Sequence, residues 1–197
     1  MADVLVLYYS RNGSTARLAQ QIARGIDEVE GMSARIRTVP AVSANHESTE
    51  PSVPTDGAPF VTTQDLEECV GVALGSPTRF GNMSAPVKYF LDGLGAQWAS
   101  GTLLDKPACV FTSTASMHGG QESTLLTMMV PLIHHGCVMV GIPYSEPRLS
   151  STISGGTPYG ASHVSGANAD PTLTDDEAYL ARCLGKRLAT IAKQLRA

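Results

Sequence analysis

Three short stretches of this 197-residue sequence gather hydroxyl-bearing and glycine residues with few charges. They are Ser10-Arg11-Asn12-Gly13-Ser14-Thr15, Pro77-Thr78-Arg79-Phe80-Gly81-Asn82 and Ser113-Thr114-Ala115-Ser116-Met117-His118-Gly119-Gly120. In the first, Ser10, Ser14 and Thr15 can donate hydroxyl hydrogens, Gly13 permits close backbone approach, and Arg11 can add a cation. At the start of a helix, where amides are unsatisfied and the dipole favours negative charge, such a loop is a phosphate seat. Taken alone, the same loop serves equally well as a capped turn between a strand and a helix. Its two companions tip the reading toward a bound phosphate. Competing motifs are absent: there is no G-x-x-x-x-G-K-[ST] and no G-x-S-x-G. Gly93-Leu94-Gly95 lacks a third glycine and follows no strand.

The elements around these stretches alternate. Val4–Tyr8 is a continuous apolar run, the pattern of a strand buried on both faces. Leu18, Ala19, Ile22, Ala23 and Ile26 then recur at helical spacing, and Ala34–Val39 alternates as a strand nearer the sheet edge. Val70–Leu74, Ala108–Thr112 and Val138–Val140 read as the third, fourth and fifth strands. Ser84 with Pro86 starts the helix between the third and fourth. In the helix through Leu125 and Ile133, Pro131 removes a donor, so that helix is expected to kink or end early. Thr174 with Glu177 forms a capping box ahead of the stripe Leu180, Leu184, Leu188, Ile191 and Leu195. Strand–helix alternation predicts an α/β fold, a doubly wound five-stranded parallel sheet with helices on both faces. The whole chain, 1–197, reads as one domain with irregular excursions at about 40–63 and 142–171. In such sheets ligands bind beyond the carboxyl ends of the strands, where all three special loops fall.

Composition narrows the function further. Hydrophobic residues make up 43% and charged residues 16%, and the net charge is −4. With no basic stripe, nucleic acid is not an expected partner. The N-terminus lacks a basic leader and its apolar run is too short to span a bilayer, so no integral membrane segment and a cytoplasmic location are expected. Cys69, Cys109, Cys137 and Cys183 show no C-x-x-C spacing and read as reduced, buried small hydrophobes. No His, Cys and carboxylate cluster has metal-ligand spacing, so no metal site is expected. His46 and His163 read as exposed loop residues.

Several rarer strings occur in one order. They are Gly75-Ser76-Pro77-Thr78-Arg79-Phe80-Gly81-Asn82-Met83-Ser84, Trp98-Ala99-Ser100-Gly101, Gly119-Gly120-Gln121-Glu122, His134-His135-Gly136 and Gly155-Gly156-Thr157-Pro158-Tyr159-Gly160-Ala161. In these the chain resembles the WrbA family of NAD(P)H:quinone oxidoreductases, within the flavodoxin-like superfamily, from first strand to last helix. The resemblance implies a flavodoxin-like sheet of order 2-1-3-4-5 and FMN, with Ser10–Thr15 on its phosphate. It also implies Pro77, Thr78, Arg79, Phe80 and Gly81 along the flavin ring. Ser113, Thr114, Ala115, Ser116, Met117, Gly119 and Gly120 would lie beside ring and ribityl chain. His134 would lie over the ring as catalytic, cofactor and substrate contact, and Trp98 would line the nicotinamide and quinone pocket. A homotetramer whose neighbouring subunit helps complete the site is implied as well. The implied activity is two-electron reduction of quinones to hydroquinols by NADH or NADPH. Two departures stand out: Asn12 where many members carry tyrosine, and a fourth-strand loop one residue longer, containing Ala115-Ser116-Met117-His118.

Each of these residues also has an ordinary reading. Arg79 supplies charge near the ring or is a solvated loop arginine, and Phe80 walls the ring or simply packs. Trp98 lines a pocket or anchors an interface. His134 and His135 cap a helix terminus, where the dipole favours a cation. A functional alternative is a flavodoxin-type carrier passing single electrons between proteins. It would present an acidic docking face, which this mildly acidic chain does not advertise.

Overall fold

The structure, a computed structural model, describes residues 1–43 and 54–196. His46 and the middle of the first excursion lie outside the described residues.

The first strand, β1 (Ala2–Tyr8), is buried on both faces, and its side chains divide by alternation. Val4, Val6 and Tyr8 enter one core and Leu5 and Leu7 the other. The first core lies under α1 (Ser14–Asp27) and α7 (Asp175–Leu195), through Leu18, Ile22, Leu184 and Leu188. The second lies under α3 (Ala85–Asp92) and α5 (Gln121–His134), through Val87, Leu125, Met128 and Leu132. Two apolar stripes on opposite faces of one sheet make the three-layer arrangement expected from the sequence.

The remaining strands are β2 (Met32–Thr38), β3 (Gly71–Pro77), β4 (Pro107–Thr114), β5 (Val138–Met139) and β6 (Gly160–Val164). All pairs are parallel, in the expected order β2-β1-β3-β4-β5. At the β2 edge, Arg35 and Arg37 pair with Asp3 on β1 and with Asp65 and Glu68 of α2 (Thr63–Glu68), charges that blunt an exposed edge. A short helix, α4 (Gly95–Ala99), follows α3. The helix α5 runs through Pro131 to His134 and does not end early.

The sixth strand was not expected. The second excursion, read as irregular, contains α6 (Arg148–Ser151) and then β6. Both β5 and β6 pair with the same edge of β4: Pro107 and Ala108 face Val138 and Met139, while Val110 to Thr114 face Gly160 to Val164. The fifth sheet position is thus filled by two segments, and the second delivers residues 165–171 to the carboxyl end of the sheet.

Candidate functional site

Register brings the three loops together. Tyr8 on β1 is level with Gly75 on β3, and Pro77 on β3 is level with Ser113 on β4. The Thr78 amide donates to the Ser113 carbonyl at 2.9 Å, and the hydroxyls of Thr15 and Ser113 lie 3.0 Å apart. The result is a polar cavity of about 210 Å³. Ser10, Arg11, Asn12, Ser14 and Thr15 line it from the first loop, Pro77, Thr78 and Arg79 from the second, and Ser113, Thr114 and Ala115 from the third.

The first loop leads into α1 without a capping side chain. The residue before α1 is Gly13, at φ 91°, and no side chain caps the helix. The Ser10 hydroxyl accepts from the Gly13 amide at 3.1 Å, so it rigidifies the turn outside the helix. The first turn of α1, whose Ser14 and Thr15 line the cavity, thus begins without a side-chain acceptor for its amides, the local condition that an anion site requires.

The second loop is a two-residue turn. Arg79 and Asn82 exchange backbone hydrogen bonds at 2.7 and 3.0 Å around Phe80 and Gly81, at φ 53° and 77°. Such turns favour glycine and asparagine at both central positions. A phenylalanine there is strained, and Phe80 is also fully exposed. The Arg79 guanidinium donates to the Thr78 carbonyl at 2.7 Å, holding a cation at the cavity rim. In the third loop, Gly120 precedes α5 at φ 93°, and a Cβ there would come within 2.9 Å of the Gly81 Cα. The two loops meet backbone to backbone, with Gly81 and Gly120 at the contact rather than in the cavity lining. Ser116, Met117 and His118 are exposed and outside that lining.

Trp98 and His134 lie elsewhere. They line a second, open groove of about 610 Å³ between α3, α4 and α5, with Asn82, Leu91, Val130 and His135. The Trp98 indole N–H donates to the His134 carbonyl at 2.9 Å. Within the groove wall, burial and then the neighbouring His134 hold His135 below the usual histidine range. Its Nδ1 has no hydrogen-bond partner. His134 does not line the polar cavity. The turn Thr78–Asn82 gives Thr78 and Arg79 to the cavity and Asn82 to the groove, so Phe80 stands at the tip between them.

Two contributors were missed in the sequence. Ser165 and Ala169, from the second excursion, close the polar cavity. His163 is not an exposed loop residue: it lies on β6, 2% exposed, 2.8 Å from Glu177 Oε2. Glu177 caps α7 as expected, but it also turns inward to this histidine. The clue was the short run Gly160–Val164, which is hard to tell from a loop by composition alone. The four cysteines are free; Cys69, Cys109 and Cys137 are buried, and burial raises their pKa. No helix among the described residues is long and apolar enough to cross a membrane.

A family model described as NADPH-dependent FMN reductase matches residues 2–146. Among curated proteins, an NAD(P)H dehydrogenase (quinone) from Solidesulfovibrio magneticus is 39% identical, over 99% of this chain and 100% of its own length. Another of that name, from Syntrophobacter fumaroxidans, is 40% identical over 98% of each chain. Among solved structures, a flavodoxin, WrbA-like protein from Agrobacterium tumefaciens superposes with a TM-score of 0.70 at 22% identity, covering 98% of this chain and 99% of its own. Flavodoxin 1 from Bacillus cereus gives 0.60 at 16%, covering 96% of this chain and 98% of its own, a likeness of fold.

Proposed function

The chain belongs to the NADPH-dependent FMN reductase family, and on that premise we propose that its polar cavity holds FMN while its groove receives NAD(P)H and quinone in turn. The protein is an FMN-dependent NAD(P)H dehydrogenase (quinone), the activity carried in the names of its full-length relatives.

The residues present fit the cofactor. Uncapped α1 amides and the hydroxyls of Ser10, Ser14 and Thr15 suit a phosphate dianion, with Arg11 and Arg79 adding positive charge. Thr78, Ser113 and Thr114 offer hydroxyls to a polyol chain. When bound there, FMN would supply the two-electron redox chemistry between nicotinamide and quinone. The chain's own part is to bind and orient. Trp98 gives an aromatic face for a flat substrate, and Phe80, fully exposed at the tip of the turn between cavity and groove, offers a second aromatic ring. His134 lines the same groove and offers its imidazole as a hydrogen-bonding group to a quinone oxygen. The observation that carries the reading is the convergence of three loops on a helix terminus that no side chain caps.

The homotetramer belongs to the same proposal. On α5, Leu126, Val130 and Ile133 are 45%, 54% and 57% exposed on one helix face, beside the exposed Trp98. A contiguous apolar stripe next to a site fits a subunit interface that completes that site. Four unpaired cysteines suit a reducing compartment, the cytoplasm. One sheet carrying both β1 and the strand before α7 suits a single domain across 1–197.

The deciding experiment is anaerobic. NADH or NADPH should bleach the flavin absorbance of the loaded protein, and benzoquinone should restore it within one turnover. Failure of both nucleotides to bleach would sink the enzyme reading in favour of a single-electron carrier. Light scattering should give four times the 20.7 kDa chain mass, and a monomer at micromolar concentration would remove the tetramer.

A further inference from the structure

His163 and Glu177 form a buried pair behind the polar cavity, at 2% and 1% exposure. The imidazole Nδ1 lies 2.8 Å from Glu177 Oε2, and Nε2 lies 2.9 Å from the backbone oxygen of Asp170. Neither partner donates. The Glu177 carboxylate already accepts from the amides of Gly155, Val164 and Thr174 and from the Ser154 hydroxyl, and a carbonyl has only lone pairs. Both ring nitrogens therefore carry hydrogen, and the ring is an imidazolium. Burial alone would discharge it, but the bonds to Glu177 and Asp170 outweigh burial and raise its pKa. The charged groups facing it are Glu177 on α7 and Asp170 beyond β6, with Arg17 on α1 acting on Asp170.

What this cation ties down is a strap. After β6, the Ser165 amide and hydroxyl donate to the Thr114 carbonyl at 2.8 and 3.1 Å. The Asp170 amide then donates back to the Ser165 carbonyl at 2.9 Å. Ser165 and Ala169 line the cavity, and Pro171 lies 3.4 Å from where a Cβ on Gly13 would be, over the start of α1.

We infer that His163, charged and held by Glu177, is a positioning residue that fastens the 165–171 strap over the phosphate seat, so that FMN affinity follows its protonation. The inference rests on reading Ser10–Thr15 as that seat. A neutral imidazole has one N–H for two acceptors, so deprotonation releases either Glu177 or Asp170. Affinity for FMN falls as pH rises, and affinity for riboflavin, which lacks the phosphate, does not.

The test measures Kd for FMN and riboflavin by fluorescence quenching, on flavin-free wild type and His163→Gln. It runs upward from about pH 7.5, where the FMN phosphate is already dianionic. The FMN-over-riboflavin preference of the wild type should drop roughly tenfold across the pH range in which the His163 imidazole NMR signal titrates, the value of one charged hydrogen bond. In His163→Gln the preference should start low and stay flat. Equal preference and equal pH response in the two proteins would overturn the role of His163, as would equal losses for both flavins. If His163→Gln does not fold, the wild type decides alone, since a preference that stays unchanged through the titration of the His163 signal overturns the inference. A wild type that binds riboflavin and FMN equally at every pH sinks the phosphate seat itself.

Discussion

The polar cavity and the apolar groove lie on either side of one short turn, Thr78–Asn82, and are built in opposite ways. The cavity is walled by loops that leave the ends of adjacent strands, and its hydroxyls bond to one another across the loops. Thr15 meets Ser113, and Thr78 meets Thr124 at 2.8 Å. Ser14, Thr15, Ser113 and Thr114 are all buried. The groove is walled by helix faces, and Trp98 is 57% exposed with a single hydrogen bond to fix it. A preformed cradle of buried donors lowers the ordering cost of binding and keeps one ligand for long periods. An open groove with an exposed aromatic suits ligands that arrive and leave. The contrast matches a resident cofactor served by exchanging substrates.

That contrast can be broken from the cavity side most forcefully behind the strap. Glu177→Gln leaves a buried histidine without its anion, and urea unfolding near neutral pH should register a loss of about 3 kcal/mol. The wild type should also show a definite pH window. Burial opposes the charge on Glu177, but His163 and its other donors hold its pKa at about 2, below the ordinary 4.5. Its stabilisation is therefore present above about 4.5 and is lost as pH falls toward 2. The His163 pKa is raised, so its contribution is complete below 6.5 and is lost as pH rises through the folded value. Stability that is flat with pH across the acid range in the wild type would show that the pair is not ionised.

A second break is aimed at the contact between loops. Gly120→Val places a branched side chain at φ 93° and within 2.9 Å of the Gly81 backbone. FMN affinity should drop by about a hundredfold in a fluorescence titration, roughly two steps of 1.4 kcal/mol. Unchanged affinity would mean that the two loops bind nothing jointly.

The groove is tested by Trp98→Ala. The quinone KM should rise about tenfold with the loss of a stacking face, while FMN Kd stays within about twofold. An equal loss of FMN would erase the distinction between the two regions. The mildest change, Thr15→Val, removes the bond to Ser113 and should weaken FMN about fivefold without altering the quinone KM.

Much of this arrangement was legible in advance. The first strand, the first loop and α1 follow one another as the apolar run, the Gly-rich turn and the helical stripe require. Thr174 and Glu177 mark the start of α7 with the expected box. Pro131 does not end α5 early, because it sits in the last turn, where a missing amide disturbs little. The strand β6 was hidden because Gly160-Ala161-Ser162-His163-Val164 has the composition of a loop. It becomes a strand because β5 pairs with only two residues of β4 and leaves the rest of that edge free.

By itself, the sequence determined five of the strands, the helices α1, α3, α5 and α7, the doubly wound class of the sheet and the residue types of the three loops. These follow from patterns spanning a few residues, the range over which periodicity and capping operate. Only the tertiary structure decided that Thr15 meets Ser113 across 98 residues, that cavity and groove are separate, and that His163 is buried against Glu177. Those facts depend on strand register and on which edge of β4 stays open, and both are settled by burial between segments far apart in the chain.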